Sequence, residues 1–200
     1  MNAVHRRLCR SAGWAERMHG QVMPWALDGV DLTGDVLEIG PGYGATTRWL
    51  AERAGRLTAV EVDPALAADL RRDLAGPVEI RTGDGADLPF PAGSVDVVAC
   101  FTMLHHVPST ARQDRLFAEA ARVLRPGGTF AGSDSRVSLR FRLLHVRDTM
   151  VPVDPATLPA RLRPGSARPG TAGRRQGSGR ASSSWRRAAS SRREERPSLA

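Results

Sequence analysis

Five short, largely apolar runs recur along the first two-thirds of the chain, each too brief for a helix. They predict strands over residues 35–39, 57–62, 78–81, 95–101 and 129–133. Between them the apolar positions fall at helical spacing, predicting helices over 45–54, 64–74 and from Ser109 or Thr110 to 124, with a further one over 138–146. Pro64 suits a first helical turn, where its missing N–H costs nothing, and Pro126-Gly127-Gly128 stops the helix before it. An amphipathic helix is predicted over 3–23, ending near Pro24. Strands alternating with helices, apart from the stretch between 81 and 95, make an α/β protein with a doubly wound, mainly parallel sheet.

The pattern fails near residue 162. From 161 to 200, 33 of 40 residues are Arg, Ala, Gly, Pro or Ser, and the large apolar side chains are Leu162, Trp185 and Leu199. So little apolar surface cannot offset the entropy of ordering the segment, so disorder is expected from about residue 163. The chain then divides into an N-terminal helical segment (1–33), a body (34–162) and an Arg/Ser/Gly-rich tail (163–200).

Charge follows the same division. The net charge is +8, but residues 161–200 hold eleven Arg against Glu194 and Glu195, leaving the body near neutrality. The body therefore carries no electrostatic sign of a nucleic-acid binder. All 29 basic residues are Arg, the usage expected of GC-rich coding DNA. Cys9 and Cys100 form no metal-spaced pair, and no metal site is expected. No leader-like or membrane-length apolar run is visible, so a cytoplasmic protein is expected. Nothing in the sequence indicates its oligomeric state.

The chemistry begins at Val36-Leu37-Glu38-Ile39-Gly40-Pro41-Gly42-Tyr43-Gly44, followed sixteen residues on by Val60-Glu61-Val62-Asp63. A strand, a glycine turn, a helix and a second strand ending in an acid build a Rossmann-like nucleoside pocket. The acid can accept both hydroxyls of a ribose. Gly40-x-Gly42-x-x-Ala45 satisfies a permissive dinucleotide fingerprint, and Gly40-x-Gly42-x-Gly44 the form seen in S-adenosylmethionine sites.

Thr82-Gly83-Asp84-Gly85-Ala86-Asp87-Leu88-Pro89-Phe90, Ser94-Val95-Asp96-Val97-Val98, Leu104-His105-His106-Val107 and Arg122-Val123-Leu124-Arg125-Pro126-Gly127-Gly128 follow in order. With these blocks the chain, over residues 34–134, resembles the class I S-adenosylmethionine-dependent methyltransferases. The nearest branch is the small-molecule, quinone-biosynthesis-like group (methyltransferase type 11). The resemblance implies S-adenosyl-L-methionine as cofactor and a small-molecule methyl acceptor. It assigns Gly40, Pro41 and Gly42 to the turn beneath the methionine part, Glu38 to its ammonium through water, and Glu61 to the ribose. Asp84 would accept from the adenine amino group, Gly85 would offer backbone to the ring, and Phe101 a carbonyl near the methionine amine.

His105 and His106 are the candidate general bases, with helix capping as the plainer role of either ring. Asp96 and Leu88-Pro89-Phe90 read as structural. Strand four ends Cys100-Phe101-Thr102-Met103, without the Asn-Pro-Pro-Tyr, Asn-Leu-Pro-Tyr or Pro-Cys signatures of base methylation, which argues for a small acceptor and against a specific nucleic acid; with no membrane-length apolar run, no membrane partner is expected. The family fold would add an antiparallel C-terminal hairpin, which the sequence does not show. The abrupt change points to an out-of-frame terminus, with a genuine basic tail as the alternative. Two other functions stay open: a nicotinamide-type oxidoreductase, and an inactive truncated cofactor-binding domain whose tail binds polyanions.

Overall fold

The computed structural model describes residues 2–74, 76, 78–162 and, for the backbone, 182–188. The N-terminal segment is not one helix. It forms α1 (Ala3–Cys9), α2 (Ala12–Arg17), a π-helical turn (Met18–Val22) and α3 (Met23–Ala26). The break falls at Ser11, whose hydroxyl oxygen accepts from the Trp14 N–H at 3.2 Å and starts a new helix. Pro24 sits in the first turn of α3, so it opens a helix rather than closing one. Met18, Val22 and Met23 are buried against Leu50, Leu57 and Leu70. The first 33 residues are thus part of the body's core.

The remaining elements are β1 (Asp35–Ile39), α4 (Ala45–Ala51), β2 (Arg56–Glu61), α5 (Pro64–Asp73), β3 (Val78–Thr82) and β4 (Val95–Phe101). A 3-10 turn (Leu104–His106), α6 (Thr110–Val123), β5 (Leu124–Ser135), α7 (Leu139–Leu144), α8 (Leu158–Arg161) and β6 (Ser182–Ala188) complete them. The sheet order is β3-β2-β1-β4-β5-β6. The first five strands are parallel, with Val36 opposite Leu57 on one side and Val97 on the other. The chain winds outward from β1 to β3, then returns to place β4 on the other side of β1. The resulting crevice at the carboxyl ends of β1 and β4 is the place where such sheets bind ligands.

Both sheet faces are covered. One packs against α3, α4 and α5 and the π-helical turn; the other takes Leu116, Phe117, Ala120 and Val123 of α6. Phe117 and Phe130 meet edge to face at 5.8 Å between centroids. At the opposite, amino-terminal edge, Arg125 donates to Asp35 (2.7 Å) and Asp96 (2.6 Å), and Asp96 also accepts from the Asp35 N–H at 2.8 Å. Asp96 is a latch on the far edge of the sheet. Among the described residues no helix is long and apolar enough to cross a membrane.

Two further expectations need correction. β5 starts at Leu124, not at 129, because the Pro126-Gly127-Gly128 stretch is absorbed as a register shift between Val95 and Val97. Disorder throughout the tail is contradicted at 182–188, where β6 pairs antiparallel with β5 from Thr129↔Ala188 to Ser135↔Ser182. The physical reason is that an open β5 edge offers a row of backbone donors and acceptors that a neighbouring segment can satisfy. Ser182-Ser183-Ser184-Trp185-Arg186-Arg187-Ala188 is a window of the tail free of glycine and proline, so its backbone can join a ladder. One antiparallel strand therefore stands where the hairpin was expected to be missing. The rest of the expected disorder lies outside the described residues.

Candidate active site

Five carboxyl-terminal segments, those after β1, β2, β3, β4 and β5, open into one cavity of about 540 Å³. After β1 the chain turns sharply. The Gly40 N–H donates to the Val60 carbonyl at 2.9 Å, and the Gly44 N–H closes the turn on the Pro41 carbonyl at 2.9 Å. Gly42 adopts φ +56°, and a Cβ placed there would project into open space. A side chain would therefore be strained and would also occupy room that a ligand could use.

The Glu61 carboxylate closes the same wall. One oxygen accepts from the Gly42 N–H at 2.9 Å and the other from the Asp63 N–H at 3.0 Å. It is buried, and its orientation is fixed by backbone, with lone pairs left for further donors. Asp63, by contrast, caps α5 by accepting from the Ala65 and Leu66 N–H groups. The two acids of Glu61-Val62-Asp63 have separate tasks.

Glu38 does not line the cavity; it lies fully buried behind the turn. Thr46 donates its hydroxyl to one carboxyl oxygen, and the other has no hydrogen-bond partner among the described residues. Burial pushes this carboxyl up to about 7, outweighing the pull of the Thr46 and Thr47 hydroxyls in the other direction. Asp84 lies at the rim, where it accepts from the Ala86 N–H at 2.9 Å and pairs with Arg112. Gly85 is pressed on Ile39, where a Cβ would come within 2.6 Å of a methyl group. Phe101 is buried at the end of β4, and the chain then turns through Thr102 at φ +50°.

The cavity is roofed by α1 and by the segment around α7. Here His5, His105, His106 and His145 converge. Ring centroids of His105 and His106 lie 4.2 Å apart, and those of His5 and His145 4.4 Å. Asp134 holds His105 twice, through the ring Nδ1 at 2.5 Å and the backbone N–H at 3.0 Å. Burial, reinforced by the His105 and His5 rings, pushes the His106 imidazole down to about 3, so His106 is neutral. His5 and His145 are also lowered, chiefly by burial.

Sequence reasoning brought Gly40, Pro41, Gly42, Glu61, Asp84, Gly85, Phe101, His105 and His106 to this cavity, and all nine line it. It missed Arg112, His5, His145, Asp134 and Asp148. Arg112 had one signal. A cation in the first turn of a helix opposes the helix dipole, which suggests an acidic partner elsewhere. The others carry no local signal.

Residues 37–132 match the family model of a methyltransferase domain. Among curated proteins, a fatty-acid O-methyltransferase of Mycolicibacterium smegmatis is 38% identical over 105 residues, 50% of this chain and 37% of its own length. A ribosomal RNA small subunit methyltransferase A of Geobacter sulfurreducens is 54% identical over 55 residues, 26% of this chain and 20% of its own. The chain spans less than half the length of the curated relatives it matches first, 36%, 37% and 46%. The N-methyltransferase NodS of Bradyrhizobium japonicum, solved with S-adenosyl-L-homocysteine, shares the fold at TM-score 0.68, with 20% identity over 94% of this chain and 93% of that one. Residues 37–132 are thus a methyltransferase domain, of the S-adenosylmethionine-dependent kind, which sets aside the nicotinamide alternative.

Proposed function

We propose that the protein transfers the methyl group of S-adenosylmethionine to a small-molecule acceptor. The observation that carries this reading is the Glu61 carboxylate, pinned at the cavity wall by the N–H groups of Gly42 and Asp63. Such an acid, beside a glycine turn with open space above it, fits a ribose and the chain attached to it. The buried Glu38 behind the same turn, with one oxygen unpartnered, fits a site that receives a positively charged amino acid part.

When bound, S-adenosylmethionine supplies a methyl group already activated by its sulfonium. Glu61 accepts from the ribose hydroxyls, and Asp84, oriented by Arg112, accepts from the adenine amino group. Gly40, Pro41 and Gly42 let backbone approach the methionine part, Glu38 balances the ammonium through water, and Gly85 and Phe101 offer backbone to the ring and the amine. The acceptor occupies the cavity beneath Phe141, Leu144 and the histidines. The cavity of about 540 Å³, within the range of small-ligand sites, would hold the cofactor and the acceptor together. The walls would then serve to position the acceptor against the cofactor's methyl group, and such positioning can lower a barrier by roughly 7–11 kcal/mol.

Calorimetric titration with S-adenosylmethionine and S-adenosylhomocysteine tests the cofactor. Binding of both is expected, and Glu61→Ala should weaken it by about 1.5–3 kcal/mol, the scale of a hydrogen bond to a charged group. Unchanged affinity in that variant removes Glu61 from the site. Failure of the wild type to bind either compound refutes the reading. Incubation with labelled methyl donor and separate panels of small phenols, carboxylic acids, amines and ribosomal RNA then tests the acceptor class; label transfer to RNA alone would overturn the small-molecule assignment.

A further inference from the structure

Four of the chain's five histidines meet at one point under the cavity roof. They come from three separate stretches: His5 from α1, His105 and His106 from the 3-10 turn after β4, and His145 from the end of α7. One ring nitrogen of each lies within 4.8 Å of one from every other.

We propose that His5, His105, His106 and His145 form a binding site for a divalent transition-metal cation of the zinc type. The partners of three Nδ1 atoms argue for it. The Nδ1 of His105 is held by Asp134 (2.5 Å), that of His145 by the Phe141 carbonyl (2.7 Å) and that of His5 by Asp148 (3.4 Å). A carboxylate or carbonyl on Nδ1 fixes the tautomer that leaves Nε2 with a lone pair, as in metal-ligating histidines. The Nε2 atoms of His105 and His145 are buried without a hydrogen-bond partner. A buried polar nitrogen with its lone pair unused is rare enough to need a reason, and here two occur in one cluster.

Donor chemistry selects the ion. Imidazole nitrogen suits Zn²⁺ and its neighbours, whereas Mg²⁺ and Ca²⁺ require oxygen ligands. A tetrahedral zinc with Zn–N bonds of about 2.0–2.1 Å places its ligand nitrogens about 3.4 Å apart, so rotation of the rings by an ångström or so closes the site. The negative charges of Asp134 and Asp148 balance the ion. Four protein ligands leave no open position, which is the arrangement of a structural zinc. The ion therefore acts as a clamp. It ties α1 to the segment after α7 over the cavity, where the Asn2 side chain already donates to the Leu144 and Val146 carbonyls at 2.6 and 3.1 Å. Coordination and general-base use compete for the Nε2 of His105. One base would need one histidine, and the convergence of four favours coordination.

The test uses the full chain, purified without a histidine tag and stripped with chelator, in the absence of S-adenosylmethionine. Its outcome is thus independent of methyl transfer. Calorimetric titration with Zn²⁺ should give one ion per chain, and Co²⁺ should develop the visible absorption of a tetrahedral site. Asp134→Asn, which leaves all four ligands, should weaken Zn²⁺ binding about 10–100-fold, and His105→Ala with His145→Ala should abolish it. His19→Ala should leave it unchanged. Wild-type protein that binds no Zn²⁺, a Co²⁺ spectrum of octahedral intensity, or full binding by the double variant overturns the proposal.

Discussion

Glu38→Gln isolates the cost of a single buried acid. The side chain is fully enclosed behind the glycine turn, and burial raises its carboxyl from 4.5 to about 7. A raised folded-state value means that the native chain holds the proton more tightly than the unfolded chain. The stability this contributes is complete below about 4.5 and is lost as pH rises toward 7. At about 1.4 kcal/mol per pH unit, the wild type forfeits roughly 3 kcal/mol between those limits. Glutamine keeps the shape and cannot ionise, so it does not lose this increment. Urea unfolding of both proteins at pH 5 and pH 8 measures it, because titrating groups not coupled to Glu38 cancel in the comparison. Relative to wild type, Glu38→Gln should gain about 2–3 kcal/mol between pH 5 and pH 8. A wild-type-to-variant difference that is the same at both pH values would refute the reasoning and place the Glu38 carboxyl in contact with water or a cation. The same variant should weaken S-adenosylmethionine binding at pH 8, since it removes the charge that opposes the ammonium.

Gly42→Val should abolish cofactor binding, because valine disfavours φ +56° and its branches fill the open space above the turn; heat-unfolding protection by S-adenosylmethionine in this variant would move the pocket elsewhere. Arg112→Ala should change stability by less than about 1 kcal/mol, since both members of the pair with Asp84 are partly exposed, yet it should weaken adenosine recognition, read as a several-fold rise in Kd by calorimetry. Truncation after Leu162 removes β6 and opens the β5 edge, so light scattering should show aggregation and urea melts a lower midpoint; an equally stable, monodisperse truncated chain would mean that β6 pairing contributes nothing.

The local grammar of the chain determined a great deal. β1 and β4 begin and end at the predicted residues, 35–39 and 95–101, because a buried central strand is a mostly apolar run, here interrupted only by Glu38 and Asp96, between polar or glycine residues. The glycine turn and Glu61 were legible for a similar reason. Their spacing is set by one strand, one turn and one helix, all covalently adjacent, so periodicity alone carries them to the same edge. Even the N-terminal break at Ser11 had a local cause in its capping hydroxyl, although the amphipathic pattern ran across it.

Tertiary structure decided the rest. Whether Glu38 faces a ligand or the interior depends on one strand residue's direction in the packed sheet, and its carboxyl value depends on burial that no neighbour in sequence can report. The pairing of Arg112 with Asp84 joins residues 28 apart, and the roof joins His5 to Asp148 across 143. No repeat or spacing links those positions; only the crossover that carries β4 back beside β1, and the return of α7 over α1, bring them together. β6 belongs to the same class. Its composition offers no apolar alternation to read, and its place follows from the unpaired backbone of β5, which exists only after the sheet has formed.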